Sequence, residues 1–473
     1  MSSALVIDDD PIVVKVIAHV LEEAGWEVFQ AHSGDEGLKL AFKNEPDVVI
    51  CDLLMPKVNG YQVCRDIRQS KELARQPRII VISNSNYDSD REGALASGAD
   101  DFYLKPVKPT DLLHLLEQDG GTTFFYRKPD IRDESSFTDT RIFNSQIGAP
   151  TRIRFWGVRG SVATPGPSTV KFGGNTTCVE VRADEQLIVL DAGTGIRQLG
   201  RHLMGEFKGQ PMNLHVLITH THWDHIQGFP FFIPAYVPSN HITVLGYEGA
   251  RQGLQSTLMG QMESAYFPIS MQKMPSNLNI EEQSENRFNI GKIQVETFFA
   301  NHPGVCVGYR LNTNGGSIVF LPDNEPHARQ RMSADGGEQQ SLEVLEYARK
   351  QDEKLIEFIR DADVVIMDSQ YDANEYKSHI GWGHGCVDDV VALAVVARVK
   401  KLFLFHHDPD HDDEFVQTME DWAKELVAIH GGKTEVEAAR EGVQVLIDPI
   451  EGVIVESPEG EKTVANGYSD SQK

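Results

Sequence analysis

Three short apolar runs, ALVI (4–7), DVVIC (47–51) and RIIVI (78–82), lead straight into Asp8, Asp52 and Ser83. A strand covered on one face alternates apolar and polar residues, whereas an unbroken run of this length fits a strand buried on both faces. Between the first two runs lies PIVVKVIAHVLEEAGW, in which Ile12, Val13, Val16, Ile17, Val20 and Leu21 recur at helical spacing. Asp10 stands at the N-cap, Pro11 at the first helical position and Gly25 just past the end. Strand, helix, strand in this order predicts a parallel, doubly wound (βα)5 sheet over residues 1–117, hence an α/β fold.

In such a sheet the carboxyl ends of the strands form one edge, and ligands bind there. Asp8 and Asp9 follow the first run, Asp52 the second and Ser83 the third, while Lys105 follows DFYL. Three carboxylates, a hydroxyl and an ammonium on one edge suit a hard, oxygen-seeking cation such as Mg2+ together with a phosphoryl group. Any one of these aspartates is explained equally well as a helix cap, but the five positions together are not.

The segments VIDDDP, CDLLMPKVNGYQV, VIS and LKP resemble, in order, the response-regulator receiver family over residues 4–117. The resemblance implies Asp52 as phosphoacceptor, Asp8 and Asp9 as Mg2+ ligands, Ser83 as the hydroxyl that senses the phosphoryl group and Lys105 as its ion pair. It also implies Phe102 as the switch aromatic and a sensor histidine kinase or phosphotransfer protein as partner. A homodimer through this domain is expected on the resemblance alone. The stretch SNSNYDSD, which begins at Ser83, departs from the family where many receivers carry an alanine.

Residues 118–150, rich in Gly, Ser, Thr, Asp and Pro, are expected to form a linker, and 457–473 a polar tail. Between them, 151–456 reads as a second domain, with helices over LEVLEYARKQDEKLIEFIRDAD (342–363) and VDDVVALAVVARVK (387–400). A net charge of −26 without a dense basic run argues against a surface for bulk nucleic acid. The five scattered cysteines contain no C-x-x-C pair, which argues against a disulfide framework or a thiolate zinc site. No apolar segment reaches membrane-spanning length and the N-terminus is not signal-like, so the expectation is a cytoplasmic protein.

The second domain carries LITHTHWDHIQGFPFF at 217–232. LHVLIT (214–219) reads as a strand, and His220 and His222, two apart, project to one side, with Asp224 and His225 following at the turn. Imidazoles and a carboxylate suit Zn2+, Mn2+ or Fe2+, and so many ligands suggest two cations. Further donors stand after apolar runs: His302 in VETFFANHPG, Asp323 in SIVFLPDNE, His406 and His407 in KKLFLFHHDP. One histidine at a strand end is ordinary; four such events around H-x-H-x-D-H are not.

This motif and its successors resemble the metallo-β-lactamase superfamily over roughly 151–455. The resemblance implies an αββα sandwich with His220, His222 and His302 on one cation, Asp224, His225 and a last histidine on the other, and Asp323 bridging. His406 is preferred over His407 because it comes first after its strand. GGNTTC, LIVLDAGTGIRQLG and VVIMDSQYDANEY…GWGHGCVDDVVALA resemble the phosphodiesterase-type members, among them ribonuclease Z and cyclic-phosphate hydrolases. By that match Asp368 orients His384, which acts on the departing oxygen, and Asp224 counts among the catalytic residues. The other reading of His384 is a helix cap before Val387, and Asp191 is expected to support the site from behind. The aromatic stretch FPFFIPAYVPSN…MESAYFPI is expected to wall the pocket, or otherwise to be core.

The expectation is therefore a response regulator whose output domain is a dinuclear hydrolase of a small phosphodiester, cyclic nucleotides included, controlled at Asp52. A thioester or lactone hydrolase and a non-catalytic metal-binding adaptor are the alternatives.

Overall fold

The computed structural model describes residues 2–55, 58–70, 73, 75–85, 88–105, 107, 112–113, 116, 150–247, 253–263, 265–328, 342–458, 460 and 462–465. The expected linker (118–150, bar its last residue) and most of the expected tail lie outside the described residues. The chain divides into two compact units, Met1–Ile147 with Gly337–Tyr347, and Gly148–Gly336 with Ala348–Lys473.

The first unit contains strands β1 (Ser3–Ile7), β2 (Glu27–Ala31), β3 (Val48–Asp52), β4 (Arg78–Ser83) and β5 (Asp101–Leu104) in the order β2-β1-β3-β4-β5. Every pairing is parallel. The expected first helix spans Pro11–Glu23, and Asp10 caps it by accepting from the Ile12 amide at 2.9 Å. Val6, Ile50, Ile80 and Ile82 meet Val14, Ile17 and Leu21 in one core. The order places the ends of β1 and β3 side by side, and with them Asp8 and Asp52.

The second unit holds two sheets. Among the described residues one has nine strands, from Asn277–Gln283 through Asn213–Ile218 and Gln186–Leu190 to Lys462–Ala465. The other has seven, from Arg287–Ile290 through Ser317–Leu321, Val364–Asp368 and Lys401–Phe405 to Glu435–Ala438. Their central strands are continuous apolar runs because both faces are covered. Ile318, Phe320, Val364, Ile366, Phe403 and Phe405 face the core between the sheets. Their neighbours Val319, Leu321, Val365, Met367, Leu402 and Leu404 face an outer core built with Val390, Ala394, Met419 and Ala423. Period-two alternation thus feeds two cores from one run. A third core sets Leu214, Val216, Ile242 and Val244 of the nine-stranded sheet against Leu199 and Leu203 of helix Ile196–Phe207. The layers are those of an αββα sandwich. The two helices expected from the sequence end earlier, at Ile359 and Val396. Each stops before a residue with left-handed backbone, Asp361 (φ 52°) and Arg398 (φ 57°), which turns the chain into the next strand.

All five cysteines are free and buried. Among the described residues no helix is long and apolar enough to cross a membrane.

Candidate functional site

At the edge of the first unit Lys105 reaches both flanking carboxylates, Asp8 and Asp52, at 2.7 Å each. Asp8, Asp9 and Asp52 converge closely enough to share one cation. Burial, with Asp8 and Asp9 beside it, pushes the Asp52 carboxyl up to about 7 against the pull of Lys105. Ser83 is buried at the end of β4, its carbonyl accepting from the Lys105 amide at 2.7 Å and its hydroxyl from the Ser85 amide at 3.1 Å. Phe102 lies half-buried on β5.

In the second unit the strand Asn213–Ile218 ends at Thr219, and the chain stays extended through His222 (φ −64°, ψ 152°) before one helical turn, Trp223–Ile226. The extended pair brings the His220 and His222 rings to 4.4 Å, and the turn sets His225 4.2 Å from His220. Asp191, at φ 60° after its own strand, accepts from the Thr219 amide at 2.8 Å and from His225 Nδ1 at 2.7 Å. That bond fixes the tautomer and turns His225 Nε2 inward. The expected support from Asp191 is thus visible as geometry.

His302 follows the strand Ile293–Phe299. Its Nδ1 donates to the Gly383 carbonyl at 2.8 Å, and its Nε2 lies 3.0 Å from His222 Nδ1. Asp323, fully buried after Ser317–Leu321, has its two oxygens facing different partners. Oδ1 lies 3.1 Å from His225 Nε2 and 3.3 Å from His406 Nε2. Oδ2 lies 3.5 Å from His302 Nε2 and 3.6 Å from His220 Nε2.

His406 has left-handed backbone (φ 63°), and its ring and that of His407 meet different partners. His406 Nδ1 meets Gln370 Oε1 at 3.0 Å and its Nε2 meets Asp224 Oδ2 at 3.1 Å. His407 points away, its Nε2 donating to the Ala439 carbonyl at 2.9 Å. Gly160 makes room, since a Cβ there would stand 2.3 Å from His406 Nδ1. His384 Nδ1 lies 3.0 Å from Asp368 Oδ2, and its ring stacks on His406 at 4.9 Å. Cys386, not His384, occupies the N-cap of the helix Val387–Val396, so the capping alternative has no support.

The electrostatics of the cluster divide its imidazoles: burial opposes the proton on His225, but Asp224, Asp323 and Asp191 hold it well above the usual histidine range. Burial, reinforced by the neighbouring imidazoles, holds His220 well below the usual histidine range and His302 down at about 3. Neutral imidazoles are the form that ligates a metal. Burial opposes charge on Asp224 and Asp323 as well, yet His225 and His406 hold both far below the usual carboxylate range. For His384, burial works against the proton, but Asp368 and then Asp323 raise it to about 9. His220 Nε2, His225 Nε2 and Asp323 Oδ1 are buried without a hydrogen-bond partner. Buried donor atoms left without partners in this way fit bound cations. The donors fall into overlapping sets: His220, His222, His302 and Asp323 in one, Asp224, His225 and His406 in another, and Asp323, His384 and His406 in a third. His222 and His384 are the members open to solvent.

Every site residue picked from the second domain's sequence is thus gathered into one cluster. Reading the sequence missed Gln370, the Ser161 amide that donates to Asp224 Oδ2 at 2.9 Å, and Glu325. Their signals are slight: a polar residue two or four places past a strand end, or a backbone group. The aromatic stretch is mostly core, with Phe229, Phe232 and Ala235 buried; Phe231 and Tyr266 are exposed.

With this geometry in view, comparison with known proteins adds the following. The family model for the response regulator receiver domain matches residues 4–117, and that for the β-lactamase superfamily domain matches 186–337. PilH of Pseudomonas aeruginosa is 33% identical over 116 residues, covering 24% of this chain and 95% of PilH. The transcriptional regulatory protein PhoP of Bacillus subtilis is 33% identical over 108 residues, covering 23% of this chain and 44% of PhoP. The chain thus spans less than half of PhoP's length. The metallo-β-lactamase-fold protein YhfI of Bacillus subtilis aligns over 63% of this chain and 99% of its own, at 16% identity and a TM-score of 0.44. The chain belongs to the response regulator receiver family through its first unit and carries a β-lactamase-superfamily domain in its second.

Proposed function

We propose that this chain is a two-component response regulator whose second unit is a dinuclear metal-dependent phosphodiesterase for small, including cyclic, phosphodiesters. The supporting observation is the split of Asp323: one carboxylate with each oxygen turned to a different set of imidazoles. In this reading His220, His222 and His302 would hold one cation, Asp224, His225 and His406 the other, with Asp323 shared between the two sets. Zn2+, Mn2+ or Fe2+ would bind there, and Mg2+ at Asp8, Asp9 and Asp52. Bound cations of this kind polarise phosphoryl oxygens and make an attacking water available at neutral pH.

The chain's own residues do the rest. Asp368 engages His384 Nδ1, which leaves Nε2 as the nitrogen able to give up a proton. As the phosphorus–oxygen bond breaks, that Nε2 proton passes to the departing oxygen, and Asp368 steadies the imidazolium beforehand. Two amides hold Asp368 itself, Asn324 N at 3.1 Å and Gln370 N at 3.0 Å. A thioester hydrolase would use the same cations, but a thiolate has a weaker need for a leaving-group proton and gives His384 less to do; a lactone hydrolase would need that proton as well.

Purified protein reconstituted with Mn2+ or Zn2+ is expected to hydrolyse bis-p-nitrophenyl phosphate, and His222→Ala to lose that activity. No turnover with any metal, or equal rates in the variant, would overturn the reading. For control at Asp52, a histidine kinase or phosphotransfer protein is the phosphodonor. Beryllofluoride is expected to change the hydrolytic rate in the parent and not in Asp52→Asn; unchanged kinetics in both would leave the two units uncoupled.

A further inference from the structure

His384 sits in the segment Tyr371–Cys386, whose two ends are joined by a bridge between those residues. The segment contains one short 3₁₀ turn, Glu375–Ser378, and is otherwise irregular, so its shape depends on what it is bonded to. Gly381 and Gly383 both adopt left-handed backbone, φ 81° and 86°. A Cβ on Gly383 would stand 2.5 Å from His302 Nδ1, so the loop passes hard against the metal-facing imidazole.

Glu325, two residues past Asp323 and fully buried, reaches into this loop. Its Oε1 accepts from the Gly381 amide at 2.9 Å, its Oε2 from the Gly383 amide at 3.1 Å, and the Tyr376 hydroxyl donates to Oε1 as well. Its own backbone is tied down, its amide donating to the Asn301 carbonyl at 2.9 Å and its carbonyl accepting from Asn301 Nδ2 at 2.7 Å. One carboxylate therefore joins three points of the loop to the strand end that carries Asp323. The Gly383 carbonyl meanwhile accepts from His302, and the next residue is His384. Bonds from backbone amides to a buried carboxylate are among the stronger hydrogen bonds and are directional.

We propose that Glu325 is a positioning residue: it holds the loop 371–386 against the centre and so sets the place of the His384 imidazole. This rests on the reading of His384 as the acid for the leaving oxygen. Glu325→Gln keeps the size of the side chain but turns an amide NH2 toward a backbone N–H, so one loop contact becomes donor against donor.

The test compares the metal-loaded parent and Glu325→Gln on two diesters, bis-p-nitrophenyl phosphate and diphenyl phosphate. The poorer phenolate leaving group needs the proton more. The expected result is a fall in kcat on diphenyl phosphate of about tenfold or more, with bis-p-nitrophenyl phosphate within about threefold, KM nearly constant and metal content at the parental level. Tyr376→Phe, which removes one of the three bonds, should show a smaller fall with the same selectivity. Equal losses on both substrates, or no loss on either, would overturn the proposal. Should the parent cleave neither diester, the phosphodiesterase reading falls by itself, and amide hydrogen exchange then decides on Glu325. Faster exchange over 378–385 in Glu325→Gln, with 217–226 unchanged, upholds the anchoring; equal exchange in both regions refutes it.

Discussion

The two acidic sites of this molecule are built on opposite principles. In the first unit Asp8, Asp9 and Asp52 gather at the ends of neighbouring parallel strands, and Lys105 already lies between two of them. In the second, seven side chains from His220 to His406 arrive from four strand ends, and inward-facing atoms such as His220 Nε2 and His225 Nε2 have no hydrogen-bond partner. The first arrangement suits water and a hard, exchangeable cation; the second carries buried, unpartnered polar atoms that suit a bound cation. Carboxylates balanced by a lysine suit a site that gains and loses a charged group. Imidazoles packed around buried, ionised carboxylates suit a site that retains a cation.

That contrast is open to experiment. The largest expected effect is at Asp323: Asp323→Ala should lower kcat by about a thousandfold or more and reduce the bound transition metal, while Asp52→Asn leaves metal content and basal turnover unchanged. A Asp323→Ala protein with parental activity would erase the distinction. Next comes Asp191, which touches His225 but faces no substrate. Asp191→Asn should weaken metal affinity by about 10–100-fold, read by competition with a chelator, and leave Mg2+ binding at the first unit as before.

The smallest effect concerns pH. Burial and two neighbouring carboxylates raise Asp52 in the folded state to about 7, above the unfolded value near 3.9. The folded state therefore holds more protons between roughly pH 4 and 7, and this group's contribution to stability falls as pH rises through that window. In EDTA, Asp52→Asn should raise the melting temperature of the first unit at pH 8 and change it little at pH 4. Mg2+ should shrink the pH 8 difference by neutralising the parent's carboxylates. A variant less stable than the parent at pH 8 would show that Lys105 outweighs the burial of Asp52.

Much of this was readable from the chain because the positions depend on period and order. Asp8, Asp52 and Ser83 end buried runs, and parallel pairing alone lines up such ends. His220 and His222 lie two apart in extended chain, and that spacing alone puts both rings on one side. The choice between His406 and His407 turned on which ring meets Asp224 and which the Ala439 carbonyl, and composition carries no sign of it. Glu325 escaped for a related reason: it anchors an irregular loop more than fifty residues further along the chain, a link with neither period nor motif. The aromatic stretch after His225 illustrates the opposite error, since Phe229 and Phe232 are as well suited to a core as to a pocket wall, and the core claimed them.

The central claim is that one carboxylate divides two cations between two sets of imidazoles, and metal stoichiometry tests it most directly. Elemental analysis of the extensively dialysed parent, with Asp323→Ala beside it, should find two transition-metal ions per chain in the parent and no more than one in the variant. One ion or none in the parent, or two in both proteins, would contradict it.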